Sequence, residues 1–282
     1  MLIWEGARRL ATEQPGHLAR REAEWLLAPL MGMPAMELYL SPNREVPPPV
    51  AERFLSSIAQ RLSGTPLQYL LGDTEFFGAV FAVEPGVFIP RPETEVVLER
   101  ALAALRLLME RRGPLRLLDA GTGSGCLAIT LARELSPCLV VAVELSWKAL
   151  STAHRNVRRH GVEGWVRLVQ GHWADPLQGT FDGIVSNPPY VPSDQVGELP
   201  LDVRQEPRLS LDGGPDGMRA LTQLLAEAPR LLRPCGVMTL ECGEAQVERL
   251  LRLAGQAAWV EAAEPIDDLT GRPRGLLLTR RG

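Results

Sequence analysis

Leu117-Leu118-Asp119-Ala120-Gly121-Thr122-Gly123-Ser124-Gly125-Cys126-Leu127-Ala128 is the most informative stretch of this chain. A short apolar run passes into Gly-x-Gly-x-Gly and then into residues that favour a helix. Glycines permit the tight turn and let a ligand approach the backbone, while the first turn of the helix offers free N–H groups. By itself the loop reads equally well as a strand-to-helix turn with no ligand. Its spacing is not the Gly-x-Gly-x-x-Gly of dinucleotide sites, and the Gly-Lys-[Ser/Thr] of a P-loop is absent.

Strand and helix patterns alternate on both sides of this loop. Apolar runs predict strands near 115–120, 138–144, 165–169, 181–186, 235–241, 257–263 and 274–279. Between them, helical periodicity falls near 125–135, 147–160, 217–232 and 245–255. Such alternation gives an α/β fold, a seven-stranded doubly wound Rossmann-like sheet. A further helix starts after Arg91, with Pro92 and Glu93 suited to a first turn and Val97, Leu98, Ala101, Leu102, Leu105 and Leu108 as its core stripe.

The N-terminal part reads differently. Ala23, Leu26, Leu27 and Leu30 recur at helical spacing, and Ala51, Phe54, Leu55, Ile58 and Leu62 repeat the pattern. Turn signals at Pro15-Gly16, Gly32-Met33-Pro34, Ser41-Pro42-Asn43 and Pro47-Pro48-Pro49 separate them. We therefore expect a small helical bundle over 1–75 and a β-hairpin linker over 76–90. Its two strands are Phe76–Val83 and Gly86–Ile89, turning at Glu84-Pro85-Gly86. The sheet domain then runs over 91–282.

The chain has 282 residues, 45% hydrophobic and 23% charged, enough to bury a large core without disulfides or metals. A formal charge of −4 argues against non-specific nucleic-acid binding. The helical stretch carries seven arginines against nine acids, so it offers no basic face by count. Neither the cysteines (126, 138, 235, 242) nor the histidines (17, 154, 160, 172) have zinc-ligand spacing, and buried free thiols are expected. No metal is expected. The absence of a long apolar segment predicts a cytoplasmic protein without a membrane partner.

Glu144 ends the second strand, nineteen residues after Gly125, where a carboxylate can accept both hydroxyls of a ribose. The Asp-x-Gly-x-Gly-x-Gly run with this acid resembles class I S-adenosylmethionine-dependent methyltransferases. NAD dehydrogenases are the alternative, but they leave a later motif unexplained.

That motif is Asn187-Pro188-Pro189-Tyr190, which follows the strand Phe181–Ser186. Two prolines stiffen the loop and remove two N–H donors. The Asn187 side-chain oxygen and the Pro188 carbonyl can grip both hydrogens of one planar –NH₂ group, with Tyr190 stacked on its face. This grip favours a pyramidal nitrogen, aims its lone pair at a sulfonium methyl and stabilises the positive charge that develops. Adenine N6, cytosine N4 and glutamine N5 all satisfy the motif alone.

Further segments narrow the choice. Gly64-Thr65-Pro66-Leu67-Gln68-Tyr69-Leu70, Phe88-Ile89-Pro90-Arg91-Pro92-Glu93-Thr94-Glu95, Gly171-His172-Trp173 and Glu206–Gly217 resemble the release-factor glutamine N5-methyltransferase family (HemK/PrmC type). The resemblance extends from about residue 20 to the end of the chain. It implies methylation of the glutamine in the Gly-Gly-Gln motif of bacterial-type peptide chain release factors. S-adenosylmethionine would be the donor and S-adenosylhomocysteine the product.

By position the resemblance implies that Gly121, Thr122, Gly123, Ser124 and Gly125 line the methionine and ribose side, that Glu144 binds ribose and that Trp173 packs near adenine. Asn187 would touch donor and target, Pro188, Pro189 and Tyr190 would hold the glutamine, and Phe88 and Arg91 would border the cofactor pocket. The helical domain would dock the release factor to a monomeric enzyme. Two positions depart from the family pattern: Glu144 and His172 both stand where relatives usually carry Asp. Glu206 has no role legible from sequence. The competing readings are a ribosomal-protein glutamine methyltransferase, a nucleic-acid N6-adenine methyltransferase and a cofactor-binding scaffold without catalysis.

Overall fold

The computed structural model describes residues 2–12, 15–40, 44–175 and 177–282. The turn expected at Ser41-Pro42-Asn43 lies outside them. By contact density the chain divides into two units, 1–73 with 200–205, and 74–199 with 206–282.

The first unit is helical: α1 (Leu2–Leu10), α2 (Gly16–Leu30), α3 (Ala35–Leu40), α4 (Pro48–Leu62) and α5 (Leu67–Leu71). Pro48 opens α4, a position where the missing N–H costs nothing. Phe54 and Ile58, one turn apart on α4, are fully buried with Ala23, Leu26 and Leu27 of α2, the stripes expected from periodicity. Arg61 pairs with Glu22 at 2.9 Å and reaches Asp202 at 3.5 Å, tying residues 200–205 to this unit.

The second unit begins with a hairpin, β1 (Asp73–Phe76) and β2 (Ala79–Ala82). Here the expectation needs correction. The turn is Phe77-Gly78, with φ of 50° and 66°, and Gly86–Ile89 forms no strand. Two consecutive left-handed residues make a two-residue hairpin loop whose twist matches its strands, which the Glu84-Pro85-Gly86 signal concealed.

There follow α6 (Pro92–Arg112), β3 (Leu115–Ala120), α7 (Cys126–Glu134), β4 (Cys138–Glu144), α8 (Trp147–Arg159), β5 (Val166–Gln170) and β6 (Phe181–Ser186). After a long connection come α9 (Arg208–Leu211), α10 (Arg219–Leu231), β7 (Leu232–Glu241), α11 (Glu244–Gln256), β8 (Val260–Asp267) and β9 (Pro273–Arg280). The seven-stranded sheet has the order β5-β4-β3-β6-β7-β9-β8. All neighbours are parallel except β9, which runs antiparallel to both β7 and β8. One apolar layer lies under α6 and α7, the other under α10 and α11.

Strand order reverses between β3 and β6, since the chain proceeds outward from β3 to β5 in one direction and from β6 to β7 in the other. Loops leaving the carboxyl ends of two such strands part to opposite sides and leave a crevice, where ligands of open α/β sheets bind. The glycine loop leaves β3 and the Asn187 loop leaves β6. Three cysteines are buried as expected; Cys235, in an irregular stretch of β7 with φ of 54°, is exposed instead.

Candidate active site

At the reversal point lies a cavity of about 480 Å³. Its lining includes Gly121, Thr122, Gly123 and Ser124 from the loop after β3, Glu144 from the end of β4, and Trp173, Asn187 and Pro189. Phe88 and Pro90, from the segment before α6, also line it.

Backbone geometry explains the glycines. Gly121, Gly123 and Gly125 have φ of 82°, 56° and 86°, values costly for a residue with a Cβ. A Cβ on Gly121 would also stand 2.9 Å from Cζ3 of Trp173, so the indole rests on the bare glycine. Gly125 does not line the cavity; it turns the chain into α7 against Ala153 and Ile129.

Below the loop, Asp119 is buried. Its Oδ2 accepts from Thr122 Oγ1 at 2.5 Å and from Ala128 N at 3.0 Å, which joins β3, the loop and α7. Burial raises its pKa to about 7 against these hydrogen bonds. Glu144 accepts from Gly123 N at 2.9 Å and from Ser146 N at 2.8 Å. Burial raises this carboxyl too, and the same N–H bonds oppose the rise.

Asn156, fully buried on α8, donates from Nδ2 to the Ser124 carbonyl at 2.8 Å. The same amide bonds both backbone groups of Ala82, so the hairpin and the glycine loop share one anchor.

Opposite the glycine loop, Asn187 donates from Nδ2 to Thr94 Oγ1 at 3.0 Å. Its Oδ1 accepts no hydrogen bond from the described residues. Pro188 and Tyr190 do not line the cavity. The Tyr190 hydroxyl donates to Glu241 Oε1 at 3.3 Å, and burial and that carboxylate push the phenol above its ordinary range. Gln246 donates to the Tyr190 carbonyl at 2.6 Å while accepting from Gly243 N at 2.8 Å. On the other side, a Cβ on Gly213 would meet Tyr190 Cα at 2.7 Å, so only glycine lets these two backbones touch. The loop is therefore held at its start by Thr94 and at its end by Gln246.

Glu206, unread in the sequence, has a structural role. Its Oε2 accepts from Ile89 N at 2.9 Å and its Oε1 pairs with Arg91, whose guanidinium lies over the Phe88 ring at 5.2 Å. One buried carboxylate thus fixes the segment that brings Phe88 and Pro90 to the cavity. His172 lies edge-on to Trp173, with Nδ1 3.5 Å from Asp175. Thr94 and Glu206 fell inside the motif stretches; Glu241, Gln246 and Asn156 carried no signal, because a buried polar residue on a helix or strand looks the same until its partner is known. Among the described residues no cluster of His, Cys, Asp or Glu could hold a metal ion, and no helix is long and apolar enough to cross a membrane.

Residues 2–72 match the family model described as PrmC N-terminal domain, and 84–199 match the methyltransferase small domain. Among solved structures, the human Mettl16 catalytic domain in complex with an RNA hairpin superposes with a TM-score of 0.56 at 18% identity over 83% of this chain and 82% of that one. The Thermus thermophilus 16S rRNA N2 G1207 methyltransferase, in complex with AdoMet and guanosine, gives 0.52 at 24% identity over 74% of this chain and 50% of that one. At these identities the likeness establishes the fold alone.

Sequence relatives go further. The release factor glutamine methyltransferase of Moorella thermoacetica is 41% identical over 99% of this chain and 97% of its own length. That of Geobacter sulfurreducens is 40% identical over 92% and 89%. With this identity over nearly the full length of both chains, and a methyltransferase sheet whose two central loops converge on one cavity, the chain belongs to the release factor glutamine methyltransferase family.

Proposed function

We propose that the protein transfers a methyl group from S-adenosylmethionine to the side-chain nitrogen (N5) of the glutamine in the Gly-Gly-Gln motif of bacterial-type peptide chain release factors, leaving S-adenosylhomocysteine. One observation carries this reading. Asn187 has its Nδ2 committed to Thr94 and its Oδ1 unclaimed among the described residues, and it lines the same cavity as the glycine loop and Glu144.

The residues present fit the donor. The cavity has the size of a cofactor site. Open space stands where a Cβ of Gly123 would be, and Glu144 supplies a carboxylate beside it. Trp173 and Phe88 supply aromatic surface for a flat base. When bound, S-adenosylmethionine supplies an electrophilic methyl group.

Everything else belongs to this chain. Glu144 accepts from the ribose hydroxyls. Asn187 Oδ1 and the Pro188 carbonyl accept from the two hydrogens of the target –NH₂, which orients the nitrogen and stabilises its developing charge. Its proton leaves once methylation has made it acidic, so no strong base is required. Pro189 bounds the glutamine side, and Tyr190 behind it anchors the loop through Glu241 and Gln246. The N-terminal helices dock the release factor, and the enzyme works in the cytoplasm as a monomer, without direct nucleic-acid binding or a metal.

The test is methyl transfer from labelled S-adenosylmethionine to three acceptors: a bacterial release factor, its Gly-Gly-Gln→Gly-Gly-Ala variant, and mixed DNA and RNA. Label on the intact factor alone is expected. Label on nucleic acid with none on the factor would overturn the reading and assign the Asn187 loop to a base. Label on a ribosomal protein in preference to the factor would move the substrate but keep the chemistry.

A further inference from the structure

A primary amide has a donor end and an acceptor end of nearly equal size, so the shape of the Asn187 site cannot decide which end faces the target. The proposed chemistry needs the acceptor end there. The decision falls to what lies behind Asn187.

Behind it is Thr94, in the first turn of α6 and only 2% exposed, whose Oγ1 receives the Asn187 Nδ2 hydrogen at 3.0 Å. A hydroxyl has one proton to donate. Given to Asn187, that proton would call for Oδ1 on the Thr94 side and turn the –NH₂ toward the substrate. At the end of β7 is the buried carboxyl of Glu241, whose ionised form the Thr94 hydroxyl favours. Tyr190 donates to its Oε1 at 3.3 Å. Among the described residues Oε2 is buried with no hydrogen-bond partner, and Thr94 and Tyr190 are the two hydroxyls that favour the ionised carboxylate.

We propose that Glu241 and Thr94 form a polarity relay that fixes the orientation of Asn187. An ionised carboxylate only accepts, so it commits the Thr94 proton; the committed hydroxyl can only accept from Asn187, and Oδ1 is left facing the target nitrogen. Thr94 and Glu241 are positioning residues, and the inference rests on Asn187 being the acceptor for that nitrogen. Ionisation gates the relay, since a protonated Glu241 also donates and removes the direction. Burial pushes Glu241 up to about 7. Thr94 and Tyr190 pull it down, Glu93 on α6 raises it and Arg274 on β9 lowers it. Two buried thiols, Cys126 on α7 and Cys242 beside it, also sense its charge. The active fraction therefore falls as pH drops through the neutral range.

The experiment compares wild type with Thr94→Ser, Thr94→Val and Glu241→Gln. Steady-state methylation of a release factor, S-adenosylhomocysteine binding by calorimetry and melting temperature are measured for each. Thr94→Val is expected to lower kcat roughly 10- to 100-fold, with both KM values and S-adenosylhomocysteine affinity within about threefold of wild type. Thr94→Ser should stay within about threefold in kcat. Glu241→Gln, able to donate to Thr94, should lower kcat and abolish the acidic limb of its pH profile. Wild-type kcat in Thr94→Val, equal losses in Ser and Val, or an unchanged limb in Glu241→Gln would overturn the relay.

A second readout does not depend on the substrate. The chain has three asparagines, 43, 156 and 187, so ¹⁵N-asparagine labelling gives few side-chain amide signals. The Asn187 Nδ2 protons should exchange slowly in wild type and in Thr94→Ser, and fast in Thr94→Val. Equal exchange in all three refutes the relay. Wild type that protects these protons but leaves the release factor unmethylated refutes only the substrate assignment.

Discussion

Glu144 accepts a hydrogen bond from the Gly123 amide at 2.9 Å, so the acid at the end of β4 and the loop after β3 form one unit. The other carboxylate oxygen receives Ser146 N at 2.8 Å, at the N-cap of α8, where Ser146 Oγ accepts from Ala149 N at 3.3 Å. Each oxygen keeps a lone pair for a ligand hydroxyl. The residue that would read the ribose also sets the shape of the cradle beside it.

Glu144→Gln therefore does more than remove a charge. An amide has one acceptor end, so its –NH₂ must face either Gly123 N–H or Ser146 N–H, donor against donor. A buried mismatch of this kind costs about 1–3 kcal/mol. Calorimetry should show S-adenosylmethionine and S-adenosylhomocysteine binding weakened roughly 10- to 100-fold. Unchanged affinity would show that ribose is held elsewhere.

On the proposed mechanism, Asn187→Ala removes an acceptor for charge that develops only during transfer. A loss on the order of 10²–10³ in kcat is expected, with cofactor affinity little changed. Full methyl transfer by this variant would refute the mechanism while leaving the family assignment intact.

Asp119 gives stability a pH dependence whose sign follows from burial. The unfolded chain releases this proton near 3.8 and the folded chain near 7. Its contribution is complete below pH 4 and is lost as pH rises through 7, by on the order of a few kcal/mol. In Asp119→Asn the amide oxygen can still accept from Ala128 N and Thr122. Urea denaturation should find this variant gaining on wild type between pH 5 and 8. A constant difference across that range would show that Asp119 does not titrate there.

Glu206→Ala leaves the Ile89 N–H and the Arg91 guanidinium without their shared acceptor. Breaking a buried pair from one side costs about 3 kcal/mol. Melting temperature should fall, amide exchange should rise across residues 88–91, and, if the cavity that Phe88 and Pro90 line takes S-adenosylmethionine as proposed, its affinity should drop. Wild-type exchange over that segment would show that Glu206 does not hold it.

Much of this protein was legible in the chain. Period-two and period-3.6 apolar patterns, the glycine loop and the Asn-Pro-Pro loop are local signals, set by backbone sterics and by which face of an element must leave water. They predicted seven strands within a few residues of those observed, and they indicated Gly121–Gly125, Glu144 and Asn187 before any fold was known. The hairpin was misplaced because Glu84-Pro85-Gly86 is also a local turn signal. The pair Phe77-Gly78 became the turn only when β1 and β2 formed.

Partnership between distant polar groups came only with the assembled fold. Thr94 meets Asn187 across 93 residues of sequence, Arg91 meets Glu206 across 115 and Gln246 meets Tyr190 across 56. A buried polar group must find a partner wherever packing delivers one, and that address is written in the strand order rather than in its neighbours along the chain. Local signals in the chain mark the glycine loop and Asn187 as candidates for the site. The assembled sheet determined which way that asparagine points, because the groups that orient it come together only once β3, β6 and β7 lie side by side with α6 across them.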